Sequence, residues 1–142
     1  MLEYFNSKLI TYINGKHTKE EVLKILVDLI RENTDVLKDE QHFYENIMAR
    51  EELGSTGIGQ GIAIPHARSE KIEEIVVAVG LVENKIDFNS PDGEGANLIL
   101  LVGAPKGKNR EYLSLVSELI RTFRNKKLRE AVTLSLIHIS EP

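Results

Sequence analysis

Cysteine is absent from this sequence. Disulfides and thiolate catalysis are therefore excluded, and a reducing, cytoplasmic setting is expected. No apolar run approaches the roughly 20 residues of a membrane span, and the opening MLEYFNSK lacks a basic stretch followed by an apolar one. Neither insertion into a membrane nor a cleaved leader is expected. An excess of basic charge is missing as well: 22 acidic and 18 basic side chains are interspersed, for a net charge of -4. Nothing resembles the basic face that neutralises a phosphate backbone, so nucleic acid is not an expected partner. A chain of 142 residues can still bury about two-thirds of its unfolded surface without staples, and one domain spanning residues 1–142 is expected.

The apolar pattern supplies the elements. Residues Lys8 to Asn14 form a short β-branched and aromatic run before Gly15, which predicts a strand and a turn. Thr18 and Glu21 make a capping box, and Val22, Ile25, Leu26, Leu29 and Ile30 recur at helical spacing as far as Asn33. A second helix is predicted from Asp39 as N-cap to about Leu53, with Phe43, Ile47 and Met48 facing inward. Ile75 to Val82 and Leu98 to Val102 read as buried central strands. The turn-rich segment Glu83 to Ala96 separates them, with a short Ile86–Asp87–Phe88 run suited to an edge.

The second strand opens into a helix from about Arg110 to Phe123, with Asn109 as N-cap and Leu113, Val116, Ile120 and Phe123 as its stripe. A short helix, Asn125 to Val132, follows. Thr133 to Pro142 shows strand-like alternation without an evident partner, as a fraying end would. Together these elements predict an α/β sandwich: a mixed sheet flanked by helices, without repeats or an interdomain linker.

The most informative stretch is Gly54 to Arg68, GSTGIGQGIAIPHAR. Four glycines in eight positions are costly to order and suggest close backbone approach or positive φ angles. Pro65 then sets the direction in which His66 leaves the strand. This is not a phosphate-binding P-loop, because Gly61 is followed by Ile62 and Ala63 instead of Lys-Ser or Lys-Thr. It is not a dinucleotide fingerprint either, since the third glycine is missing and the loop follows a predicted helix.

His17, His42, His66 and His138 lie far apart, without HxxxH or HExxH spacing, so neither a metal site nor a cofactor is expected. Only His66 is surrounded by glycines, hydroxyls and a proline. A neutral imidazole is nucleophilic at cellular pH and can carry a phosphoryl group. The hydroxyls of Ser55 and Thr56, the backbone N–H groups around Gly57 and the forked guanidinium of Arg50 would suit its oxygens. On the residues alone, a phosphohistidine site and a structural glycine turn both remain open.

The run REELGSTGIGQGIAIPHA, Arg50 to Ala67, closely resembles the signature of the fructose/mannitol-type enzyme IIA of the bacterial phosphoenolpyruvate-dependent sugar phosphotransferase system. That family includes the nitrogen-regulatory enzyme IIA, and the resemblance extends from about Thr18 to Val132. It implies that His66 is phosphorylated by the phosphocarrier HPr, or by an HPr paralogue, and that a IIB component or a regulatory protein is the next partner. It places the family arginine at Arg50. The family's second active-site histidine, in a pattern like EHL, falls on Glu111-Tyr112-Leu113, so Tyr112 takes its place. A phenol there can donate a hydrogen bond but supplies no positive charge near neutral pH. The ending LSLIHISEP also departs from the family, whose chains close with a further helix.

Overall fold

The computed structural model describes residues 1–140. One mixed, six-stranded sheet has the order β1-β5-β6-β3-β2, with β4 also pairing to β6. The strands are β1 (Ile10–Ile13), β2 (Gly57–Gly59), β3 (Ile62–Ala63), β4 (His66–Ser69), β5 (Val76–Ile86) and β6 (Ala96–Pro105). Four α-helices flank them: α1 (Lys19–Asn33), α2 (Glu40–Leu53), α3 (Asn109–Arg124) and α4 (Lys126–Ser140). The predicted α/β sandwich is the observed one.

The centre is the antiparallel pair β5–β6, and alternation along it decides which helix lies where. Ala78 and Val82 of β5 and Ile99 and Leu101 of β6 face Leu23, Leu26, Ile30, Phe43 and Ile47 of α1 and α2. Val77, Val79, Leu100 and Val102 face Leu115, Leu119 and Phe123 of α3 on the other side. Both faces are apolar because both are covered, which is why the strands read as continuous hydrophobic runs. β5 continues past Val82 to pair Ile86 with Ala96, after a register shift. Ile86 thus pairs on its β6 side only, beyond Val82 where β1 stops, as a run suited to an edge would, and Phe88 beyond it is fully buried.

Helix starts follow the expected chemistry at α1 and α2. Thr18 Oγ1 accepts from Glu21 N at 3.1 Å, and the Glu21 carboxylate accepts from Thr18 N at 2.8 Å. Asp39 accepts from His42 N at 3.1 Å. Asn109, by contrast, is already helical (φ -58°, ψ -40°) and is not a cap. The stripe of α3 is also rotated from its expected position. Leu113 is 53% exposed, while Tyr112, Leu115, Val116, Leu119 and Phe123 are buried. Val116 and Phe123 are compatible with either face, and packing selects the set that turns Tyr112 onto the sheet.

The predicted short helix and strand-like tail are one helix, α4. Asn125 Oδ1 accepts from Leu128 N at 3.1 Å and starts it. Val132, Leu136 and Ile139 meet the core from one helical face, with Leu136 fully buried. This i, i+4, i+7 spacing underlies a segment whose neighbouring residues mimic alternation. Glu141 and Pro142 lie outside the described residues.

The glycine stretch is a tight hairpin, β2–β3, in place of an open loop. Gln60 (φ 60°) and Gly61 (φ 80°) are its two central residues, as a two-residue hairpin turn with the twist of its strands requires. Asp92 fixes the turn by accepting from Gln60 N at 2.9 Å. On the opposite side of β3, the chain runs parallel to β6, first through Ile62 and Ala63 and then, after Pro65, through β4.

Candidate active site

His66 opens β4 beside Val102 of β6. Between β3 and β4 the ladder is kept by the Pro65 carbonyl, which accepts from Val102 N at 2.9 Å. The Ile64 carbonyl is thereby left for a side chain, and His66 Nδ1 lies 2.6 Å from it. A carbonyl oxygen can only accept, so Nδ1 carries the ring proton and Nε2 holds a lone pair. Burial lowers the imidazole pKa below its ordinary value; the Ile64 bond works in the opposite direction, and the charge of Arg50 adds to the lowering. The ring is neutral at pH 7 and nucleophilic at Nε2.

A cleft of about 280 Å³ surrounds it, lined by Asn46, Arg50, Arg68, Lys106 and Tyr112, with Leu53 at the rim. Arg50, in the last turn of α2, donates from Nη1 to the Gly54 carbonyl at 2.7 Å and so closes the helix end. The bare backbone of Gly103 brings α2 this close to the sheet: a Cβ there would stand 2.7 Å from Phe43 Cζ. Tyr112, in the first turn of α3, has its ring centre 6.0 Å from that of His66, tilted by 58°. Its phenol pKa is raised by burial, with Arg68 and Arg50 opposing, so it remains a neutral donor. Asn46 Nδ2 donates to the Arg68 carbonyl at 2.9 Å and fastens β4 to α2.

His66, Arg50 and Tyr112 are therefore brought together. Ser55, Thr56 and Gly57 are not brought to the cleft. The Ser55 hydroxyl donates to the Phe88 carbonyl and accepts from Gly57 N at 2.9 Å. The Thr56 hydroxyl donates to the buried carboxylate of Glu51, whose other oxygen lies 3.8 Å from Lys19 Nζ. Gly57 is packed so tightly that a Cβ would collide with Ser90. The hairpin consumes these groups internally and fixes the end of α2 that carries Arg50.

Sequence reasoning missed Arg68, Lys106, Asn46 and Leu53. Arg68 had a signal, since two residues beyond His66 on one strand is the same face. Lys106 stands just past the end of β6, where it pairs with Glu70 at 3.3 Å. Two larger hollows, of about 440 and 450 Å³, flank α4. Neither is lined by a histidine, and the small cleft is the one that combines a nucleophile with cations. No helix among the described residues is long and apolar enough to cross a membrane.

The fold is thus an α/β domain whose cleft sets a neutral, oriented imidazole beside two guanidiniums and an ammonium. The family model described as "Phosphoenolpyruvate-dependent sugar phosphotransferase system, EIIA 2" matches residues 3–134, and the chain belongs to that family. It is 33% identical over 130 residues to the PTS system fructose-specific EIIABC component of Bacillus subtilis, covering 85% of this chain and 20% of that protein. It is also 33% identical to the nitrogen regulatory protein of Bradyrhizobium diazoefficiens, covering 80% of this chain and 75% of that one. Among solved structures, nitrogen regulatory protein IIA-Ntr from Neisseria meningitidis superposes with a TM-score of 0.79 at 30% identity, over 91% of this chain and 87% of that one.

Proposed function

We propose that this protein is a phosphotransfer module that accepts a phosphoryl group on Nε2 of His66 from HPr or an HPr paralogue in the cytoplasm, and passes it to a sugar-specific IIB component. The observation that carries this is the fixed tautomer: the Ile64 carbonyl holds the Nδ1 proton, and the lone pair of Nε2 belongs to a cleft of cations. Transfer needs no net proton movement. The Nε2 lone pair attacks phosphorus as the P–N bond to the donor imidazole breaks. The donor ring, protonated on its other nitrogen, departs neutral, and His66 becomes the N-protonated phosphoimidazole. Arg50 offsets the dianion's charge by forked hydrogen bonds.

Likeness to the nitrogen regulatory proteins supports a second reading, in which the phosphoryl group on His66 changes the surface offered to a regulatory protein partner. Both readings share the acceptance step and differ in the fate of the phosphoryl group. The test is to load the protein from phosphoenolpyruvate, enzyme I and HPr, then add IIB components from the same genome. Loss of phosphate from His66 to a IIB component supports relay. A stable phospho-form that gains or loses a protein partner, with no IIB acceptor, supports regulation.

A further inference from the structure

Three cations line the cleft, and they are not equivalent. Arg50 is tied to the Gly54 carbonyl, and Lys106 is paired with Glu70. Arg68 pairs with no carboxylate among the described residues. Its backbone is fixed twice, by the Arg68–Ala104 register in the sheet and by the hydrogen bond from Asn46. Its guanidinium carbon lies 5.9 Å from the centre of the Tyr112 ring, within the reach of a cation–π contact. Tyr112 itself is only 6% exposed and is locked by the sheet beneath it.

Arg68 therefore rests on a rigid aromatic shelf, on the same strand face as His66. Arg68 lines the same cleft as His66, and its side chain is not held by a carboxylate there. A guanidinium without a carboxylate partner that lines the space a phosphoryl group would enter is placed to act on the charged product. Tyr112, being a neutral phenol, cannot supply that charge itself.

We propose that Arg68, carried on the Tyr112 ring, is a second guanidinium that clamps the phosphoryl group once it is on His66, and that Tyr112 serves as its shelf. The inference deepens the phosphotransfer reading and rests on phosphorylation at His66. Charge-assisted hydrogen bonds from a guanidinium stabilise the dianionic phosphoryl group on the ring, so a clamp of this kind lengthens the life of the phosphorylated state.

The experiment uses phosphoramidate to phosphorylate the protein chemically, with no carrier protein, and follows the half-life of phosphohistidine at neutral pH. Arg68→Ala is expected to shorten it about tenfold or more, the loss of a charge-assisted contact, with unchanged thermal unfolding. Arg68→Lys should recover part of the loss. Tyr112→Phe keeps the shelf and should cost less than about fivefold, one net hydrogen bond. Tyr112→Leu removes the shelf and should shorten the half-life in the parent, but hardly further in Arg68→Ala. An unchanged half-life in Arg68→Ala overturns the inference, as does Tyr112→Leu acting equally with and without Arg68. Normal chemical labelling with an Arg68 effect, but no transfer from any carrier, would instead refute the functional reading alone. No chemical label on His66 would refute both.

Discussion

Nδ1 of His66 lies 2.6 Å from the carbonyl oxygen of Ile64, two residues earlier in the chain. This contact depends on Pro65, whose own carbonyl holds the ladder to β6 and leaves that of Ile64 unclaimed. It fixes the tautomer, while burial and Arg50 keep the ring neutral.

The partly buried imidazole of His66 makes the fold sensitive to pH. His66 has a lowered pKa in the folded protein, so between that value and about 6.5 the unfolded chain binds the proton and the folded one does not. Stability should therefore fall as pH drops through this window. His66→Ala should remove this part of the pH dependence, and Arg50→Ala should raise the ring pKa. Both are measured by urea unfolding against pH and by NMR titration of the imidazole.

Arg50→Ala should destabilise the phospho-form by about 1.5 to 3 kcal/mol, the value of a hydrogen bond to a charged group. The Gly54 carbonyl also loses its partner, so thermal stability should drop slightly. Arg50→Lys should restore less of the phospho-form than of the fold, because an ammonium lacks the fork. The phosphorylation equilibrium with the donor, set beside the melting temperature, separates the two effects.

Thr56→Val tests whether the hydroxyls of the glycine stretch serve phosphate or fold. Its hydroxyl partner, Glu51, is 7% exposed and would keep only the ion pair with Lys19. A loss of about 1 to 3 kcal/mol in unfolding free energy is expected, with chemical phosphorylation of His66 retained in the folded fraction. Intact stability with lost phosphorylation would return Thr56 to the phosphoryl site.

Gly103→Ala should act on Arg50 from a distance. The added methyl would meet Phe43 Cζ at 2.7 Å and Ile72 Cδ1 at 3.0 Å, pushing α2 away from the sheet. Overpacking of this kind costs about 1 to 3 kcal/mol, and phosphoryl acceptance should slow as the end of α2 shifts. Gly107, with nothing within 4 Å of its Cβ position, is the control. Rapid-quench acceptance rates of the two alanine variants make the comparison.

The sequence singled out His66 because glycines, hydroxyls and a proline crowd around it, and these features are local. Arg50 was readable as the helix residue before the hairpin. Arg68 carried only the two-residue strand spacing from His66, and Lys106 was less visible still, because its membership depends on β4 pairing with β6, a contact between segments more than 30 residues apart. The hydroxyls of Ser55 and Thr56 were misplaced for a related reason: composition shows a polar loop, while Phe88 and Glu51 arrive only on folding. Rotation of α3 and the extension of α4 were likewise settled by packing, since Leu113 and Leu115 are equally apolar, and Leu136 declares a helix only once buried.

Acceptance of the phosphoryl group by Nε2 of His66 can be observed atom by atom. The direct measurement is a long-range 1H–15N correlation spectrum of the protein phosphorylated by phosphoenolpyruvate, enzyme I and its cognate HPr-type carrier. The expected result is phosphorus on Nε2 of His66, a retained proton on Nδ1, and no label in His66→Ala. Phosphorus on Nδ1, on another histidine or on none would contradict it.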